Sequence, residues 1–217
     1  MWALTNIASG THEHTRYLVE QGVIPIFTKL LSSPHHKIRE QSAWALGNIA
    51  GDCAEMRDLV LQHGVMKETL RLLTDKESKL PLIRIATWTM SNLCRAKPQP
   101  DFKLVKDAIP IAARLIYSTD KEVLVDALWT LSFLSDGKDK KQKAVAEAAV
   151  CPRLVTLLQS NELQFLVPAL RTIGNLMSGD DATTQKVIDC AALNALVPLL
   201  NHPKPGVRKE ACWTVSN

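Results

Sequence analysis

The sequence predicts an all-α chain built by repeating a three-helix unit of about 42 residues. Three observations carry this expectation. The first is a comb of tryptophans at Trp2, Trp44, Trp88, Trp129 and Trp213, five of only eleven aromatic residues. Its first three gaps are 42, 44 and 41 residues, and the last is 84, twice 42. The skipped tooth is Arg171, where ALRTIGN aligns with AWALGN. The second is that each tooth sits in a recurring segment: WALTNIASG, WALGNIAGD, WTMSNLCRA, WTLSFLSDG, RTIGNLMSG and WTVSN. The third is that strict apolar/polar alternation is nowhere sustained, which leaves no signal for a sheet.

The elements follow in order. A partial repeat, 1–10, is the tail of a third helix. Repeats then span approximately 11–53, 54–97, 98–137, 138–179 and 180–217, the last of them cut short. Each opens with a short helical piece such as TRYLVEQG, MRDLVLQHG or TQKVIDCA. An apolar second helix follows: VIPIFTKLL, VMKETLRLL, AIPIAARLI, VCPRLVTLL and ALNALVPLL. The Trp segment is the third. A period of this size marks a helical solenoid of the armadillo or HEAT class, and three helices per unit is the armadillo plan. The expected fold is therefore one array over 1–217, a right-handed armadillo-repeat superhelical solenoid. Gly22 and Gly64 follow a first helix, where a left-handed residue ends it at no steric cost. Pro25, Pro110 and Pro152 fall in the first turn of a second helix, where the missing N–H costs little. SSPHH, TDKESK, STDK, QSNE and NHPKP separate second from third helices. Pro168 and Pro198 lie inside helical pattern and should kink or shorten it.

Composition narrows the function. Of the 217 residues, 46% are hydrophobic, enough for a continuous core, and 22% are charged. The formal charge of +4 is too mild to imply direct nucleic-acid binding. No run reaches the length and apolarity of a membrane span, and MWALTNIASGTHEH lacks the pattern of a signal peptide. Cys53, Cys94, Cys151, Cys190 and Cys212 are odd in number, widely spaced and free of CxxC, which argues against a disulfide framework or zinc site and for a reducing compartment. His12, His14, His35 and His36 fall in the segments GTHEHT and SPHHK and read as solvated loop residues. No HExxH or similar ligand spacing accompanies them. Asp180 and Asp181 read as the start of a helix, and KDKKQK as a solvated loop. With no P-loop, GxGxxG or nucleophile–base arrangement in context, an enzyme is not expected, nor any metal or cofactor.

The third helices carry the candidate site. Over Lys37 to Ala50, Ile38, Ala45, Leu46 and Ile49 suit burial, while Gln41, Trp44 and Asn48 share one face at i, i+3 and i+7. The Trp/Asn pair recurs as Trp2 with Asn6, Trp88 with Asn92 and Trp213 with Asn217. Arg171 with Asn175 and Trp129 with Phe133 are variants. A lone helical Trp is ordinarily core. The constant Asn, a poor helix-interior residue, turns the row toward a ligand. Stacked repeats would set these faces side by side as ring walls and amides, a surface for an extended peptide. Slots between rings accept aliphatic stems, and indole faces favour a terminal cation, so Lys and Arg fit. Asp52, Asp126, Asp136 and Glu210 lie on or just beyond these helices as partners for such cations, and Asp126 and Glu210 sit three residues ahead of a Trp.

At these residues the sequence resembles the armadillo core of the importin alpha family, adaptors that recognise nuclear localisation signals. WALTNIASGT, REQSAWALGNIAGD, WTMSNLCR, LSDG, PALRTIGN and KEACWTVSN carry the resemblance over essentially the whole chain. It implies a major signal site at Trp2, Asn6, Gln41, Trp44, Asn48, Trp88 and Asn92, with a ligand lysine held by Asp52, Gly10 and Thr15. It implies a partial minor site at Arg171, Asn175, Glu210, Trp213 and Asn217, and groove residues Asp126, Trp129 and Phe133 between the two. The implied partners are mono- or bipartite basic signal peptides, without direct nucleic-acid or membrane contact, in a protein that shuttles between cytoplasm and nucleus. The family's basic N-terminal segment, which docks importin beta, and its last repeats lie outside this chain, so cargo recognition without carrier docking is expected. Two departures stand out. Ile85 replaces the family's usual polar residue ahead of Trp88, and Phe133 replaces a Tyr. The competing expectation is a general armadillo scaffold with a basic groove for acidic partner peptides in adhesion or signalling.

Overall fold

The computed structural model describes residues 2–138 and 140–217. Asp139 of KDKKQK and Met1 of the partial repeat lie outside the described residues. Every regular element among the described residues is helical. In chain order these are α1 (Trp2–Ala8), α2 (His12–Glu20), α3 (Val23–Leu30) and α4 (His36–Asp52). Next come α5 (Ala54–Gln62), α6 (Val65–Thr74), α7 (Leu80–Cys94), α8 (Phe102–Val105), α9 (Ala108–Leu115) and α10 (Lys121–Ser135). The chain continues through α11 (Lys140–Glu147), α12 (Cys151–Leu157), α13 (Leu163–Met177), α14 (Asp181–Asp189), α15 (Ala192–Leu196), a 3-10 segment Val197–Asn201 and α16 (Pro205–Ser216). None of these helices is long and apolar enough to cross a membrane. The third helix of each unit is α1, α4, α7, α10, α13 or α16, and it carries the Trp or Arg tooth of the comb. The chain forms two compact units, 1–111 and 112–217.

The punctuation acts where the sequence places it. Gly22 and Gly64 take φ +73° at the junction into α3 and α6. Ala149 and Ala191 take φ 54° and 60° just ahead of α12 and α15, so the same left-handed corner is turned there by a residue with a Cβ. Pro198 converts the end of the last second helix into 3-10 geometry, whereas α13 runs through Pro168. Asp180 caps α14 by accepting from Thr183 N at 2.8 Å. Hydrogen bonding from the Thr183 side chain and backbone holds its carboxyl below the usual range. Two sequence expectations change. GTHEHT is the N-cap and first turn of α2, with Thr11 and His14 exchanging capping bonds. Lys140 to Lys143 open α11.

The core explains why third helices look apolar nearly all round. In the first unit, Ala45, Leu46 and Ile49 of α4 have no exposed surface. Leu82, Ala86, Met90 and Leu93 of α7 are buried equally. In the second unit, Leu128 and Leu131 of α10 are in the same condition, as are Leu170, Ile173 and Leu176 of α13, the helix packed beside it. Burying one such side chain is worth about 1.5–3 kcal/mol. Arginines then fasten the loops. Arg39 donates to Ser33 O and Pro34 O at 2.8 and 3.3 Å, and Arg208 donates to His202 O and Pro203 O at 2.8 and 3.0 Å. Each holds the turn that delivers its own third helix. Arg71 donates to Leu31 O at 2.9 Å and Arg153 to Ile116 O at 3.0 Å. Each thus sets a cation at the carbonyl end of the preceding second helix, where the dipole favours it.

Candidate peptide-binding site

In the first unit, α1, α4 and α7 present their Trp faces in succession. Trp2 is 70% exposed and Trp44 41% exposed, while Trp88 is half-buried. The reason Trp88 sits lower is Gly47. A Cβ on that glycine would collide with the Trp88 ring and with Thr89 Oγ1, so the absent side chain is the seat of the indole. Gly174 is the seat of Trp213 in the second unit in the same way, with Thr214 Oγ1 alongside. In both cases the glycine is the one in the GN pair, three residues after its own tooth of the comb. That signal is visible in AWALGN and TIGN, yet periodicity alone does not assign it a role.

The asparagines are not a free row of amides. Asn48 Nδ2 donates to Thr5 O at 3.4 Å, Asn92 Nδ2 to Gly47 O at 3.1 Å, and Asn217 Nδ2 to Gly174 O at 3.3 Å. Asn175 Nδ2 donates to Ser132 O and Ser135 Oγ, both at 3.0 Å. Each therefore ties its helix to the preceding third helix. On α7 the tie extends into a ladder. Thr89 donates to Ala43 O at 3.0 Å, Asn92 to Gly47 O, and Arg95 Nη2 to Gly51 O at 2.9 Å. Asn92 and Asn175 are buried as a result, with 5% and 7% exposure. In all four tied asparagines the carbonyl oxygen accepts no bond from the described residues and offers its lone pairs to an incoming donor. Asn6, exposed on α1, makes no such tie, and its whole amide is uncommitted.

Toward the C-terminal ends of α1 and α4 lies a depression of about 230 Å³ lined by Gly10, Thr15, Asn48, Asp52, Trp88 and Asn92, together with Ala8, Ser9, Gly51 and Arg95; Trp2, Asn6, Gln41 and Trp44 do not line it. Asp52, Gly10 and Thr15, the residues expected to hold a ligand lysine, are thus brought together with Asn48, Trp88 and Asn92. Thr15 is buried and donates its hydroxyl to Ala8 O at 3.3 Å, which leaves its oxygen lone pairs for a ligand. Asp52, the last residue of α4, keeps 17% of its side chain exposed. Its Oδ2 lies 2.6 Å from His12 Nδ1. His12 is therefore not the merely solvated loop residue that the sequence suggests; it is the resident partner of the pocket's acid.

Arg95 adds a cation to the lining, its Nη2 held by Gly51 O next to Asp52, and Arg57 holds the backbone from which it extends. Arg57 is fully buried and donates to Arg95 O, Ala96 O and Pro98 O at 2.5, 3.1 and 2.7 Å, and to Asp58 Oδ1 at 2.9 Å. Neither arginine stood out in the sequence, where nothing separates a loop-holding Arg from a surface one.

In the second unit, Trp129 and Phe133 stack at 5.8 Å with 23° between planes. Asp126, one turn earlier, is half-buried. Burial, and then the neighbouring Glu122, push its carboxyl up to about 7. Glu210 is already occupied, because Arg171 grips both of its oxygens, Nη2 reaching Oε2 at 3.1 Å. The pair crosses from α13 to α16 and leaves Glu210 with 19% exposure, so any ligand cation would share this acid with Arg171. Trp213 lies 41% exposed beside it, and Asp136 lies at the C-terminal end of α10.

Comparison with known proteins agrees with this architecture. The Armadillo/beta-catenin-like repeat model matches residues 11–51, 53–95, 138–178 and 180–217. Importin subunit alpha-1b of Oryza sativa subsp. japonica is 55% identical over 98% of this chain and 40% of its own length. Importin subunit alpha-5 of Arabidopsis thaliana is 58% identical over the whole chain and 42% of its own length. The chain thus spans about two-fifths of these relatives. Among solved structures, a designed armadillo repeat protein in complex with the peptide (KR)4 superposes with a TM-score of 0.89 at 26% identity, covering 99% of this chain and 89% of the other. With its family model matching most of the sequence and its relatives more than half identical, the chain belongs to the armadillo-repeat family and is similar to plant importin alpha subunits.

Proposed function

We propose that this chain binds Lys/Arg-rich nuclear localisation signals in extended form, as the cargo-recognition part of a nuclear import adaptor that shuttles between cytoplasm and nucleus. The observation that carries the reading is the depression at Asp52. It combines a partly buried carboxylate, a threonine oxygen, asparagine carbonyls and the wall of Trp88. A lysine stem lies against the indole while its ammonium meets these oxygens. The ligand must displace His12 from that carboxylate, so affinity reflects a competition between two cations. The relatives' names support the assignment to import, and the (KR)4 complex of a similar designed scaffold supports a basic ligand. Docking to importin beta belongs to the whole protein.

The test is a fluorescence titration of a bipartite basic peptide against the chain, beside the same peptide with its central lysine replaced by alanine. Lysine-dependent binding in wild type, lost in Asp52→Lys and weakened by added salt, is the expected result. Equal affinity for both peptides, or for wild type and Asp52→Lys, refutes the pocket assignment. Preference for an acidic peptide would point to the scaffold reading.

A further inference from the structure

His12, Asp52 and Cys53 bring three different donor atoms within 4.8 Å of one another. The donors come from two separate elements. His12 is the first residue of α2, while Asp52 and Cys53 form the junction between α4 and α5. The chain leaves α4 at Asp52 and is extended at Cys53, φ −152°, ψ 172°, and at this junction one donor atom from each of the two residues lies within 4.8 Å of a His12 ring nitrogen. His12 Nδ1 already lies 2.6 Å from Asp52 Oδ2, and the imidazole, 54% exposed, is free to move outward. Cys53 is a half-buried free thiol.

We propose that His12, Asp52 and Cys53 form a three-ligand site for a zinc-class divalent cation at the mouth of the lysine pocket. Tetrahedral zinc holds N, O and S ligands at about 2.0–2.3 Å, which sets the ligand atoms about 3.3–3.8 Å apart. The three donors reach that spacing by small side-chain rotations, with the fourth position left to water. One thiolate, one imidazole and one carboxylate select zinc or cobalt over magnesium or calcium, which prefer all-oxygen shells. On binding, the Cys53 thiol releases its proton to solvent. His12 gives Nδ1 to the metal and carries its ring proton on Nε2, so the proton it shared with Asp52 is replaced by the ion.

The consequence for cargo rests on the function proposed above. With Asp52 committed to a dication, a ligand lysine meets a neutralised carboxylate and an added positive charge. Zinc and a basic peptide are then mutually antagonistic, and by linkage each weakens the other by the same factor.

The experiment uses the whole chain, reduced and freed of metal, with cobalt as the probe. The expected result is one equivalent of cobalt giving a thiolate-to-cobalt absorption band that zinc removes. The band should be absent in Cys53→Ser, and cobalt affinity should fall at least about 10-fold in His12→Asn, with both variants matching wild type in helical content. A band that persists in Cys53→Ser, arising from another thiol, overturns the site, as does the lack of any band. Peptide titrations with and without zinc form the second arm. Zinc should weaken lysine-dependent binding in wild type and leave Cys53→Ser unaffected. A cobalt band with no peptide binding under any condition keeps the metal site and refutes the cargo reading. A band with peptide affinity indifferent to zinc overturns the antagonism.

Discussion

At Asn92 only one end of the amide is committed. It gives one hydrogen to Gly47 O at 3.1 Å in a setting that is 5% exposed, while its carbonyl oxygen accepts no bond from the described residues. Asn6 makes no such inter-repeat bond and stands in solvent. The two should therefore separate stability from binding. Asn92→Ala leaves a buried carbonyl short of its second donor and should cost about 1–2 kcal/mol in urea unfolding. Asn6→Ala should change stability by less than about 0.5 kcal/mol. Both should weaken a basic peptide, by about 3–10-fold for the loss of one or two hydrogen bonds. Equal stability of the two variants would show that the Gly47 bond contributes nothing. The Trp/Asn comb was legible because a rare ring and a poor helix former recur in register. The direction of each amide was not, since a period names a face of a helix and says nothing of the neighbour behind it. The same limit hid Arg57, which besides pairing with Asp58 meets three carbonyls some 40 residues away.

Helix propensity and packing make opposite predictions for the glycines of third helices. Glycine to alanine in a helix interior ordinarily gains up to about 1 kcal/mol. At Gly47 and Gly174 the new Cβ meets an indole and a threonine hydroxyl, so Gly47→Ala and Gly174→Ala should instead lose about 1–3 kcal/mol and lift Trp88 or Trp213 toward solvent. Gly206→Ala, with nothing within 4 Å of its Cβ, serves as the control and should not destabilise. Urea midpoints together with tryptophan emission check all three, and a stabilised Gly47→Ala would remove the indole seat. The converse change belongs to the corners between first and second helices. Ala149 and Ala191 stand left-handed where Gly22 and Gly64 do so freely, at a cost of about 1–2 kcal/mol for an L residue. Ala149→Gly and Ala191→Gly should each recover about 0.5–1 kcal/mol, measured by thermal or urea unfolding. Element order was readable from such punctuation because glycine and proline act locally. The four-residue α8 and the 3-10 ending before NHPKP depend on how a segment packs, and there the pattern read only as helix.

At the scale of the molecule the folded chain comprises two compact units, 1–111 and 112–217, and their boundary falls inside α9, a second helix of the repeat pattern. Charge is likewise a whole-chain property with a local exception. The chain carries +4, so the basic ligand proposed above would have to be drawn in by particular acids and not by the net field. Asp126 is the one whose proton reports on this. Burial and Glu122 raise its carboxyl from 3.8 to about 7, so between those values the folded state holds a proton that the unfolded chain has released. The folded state therefore binds more protons, and stability falls as pH rises through this window and levels off above it. Asp126→Asn removes the ionisable group, so it should match wild type near pH 4 and exceed it at pH 8, with a flatter profile between. Thermal unfolding across that range is the check, and parallel profiles would show that Asp126 titrates as an ordinary surface acid. A cation bound beside Asp126 favours the ionised form, so a peptide that reaches this helix should expel a fraction of a proton at pH 7 and bind more tightly as pH rises toward 8. Calorimetry in two buffers of different ionisation enthalpy reads that proton directly. The same release from Asp126→Asn would place its source elsewhere.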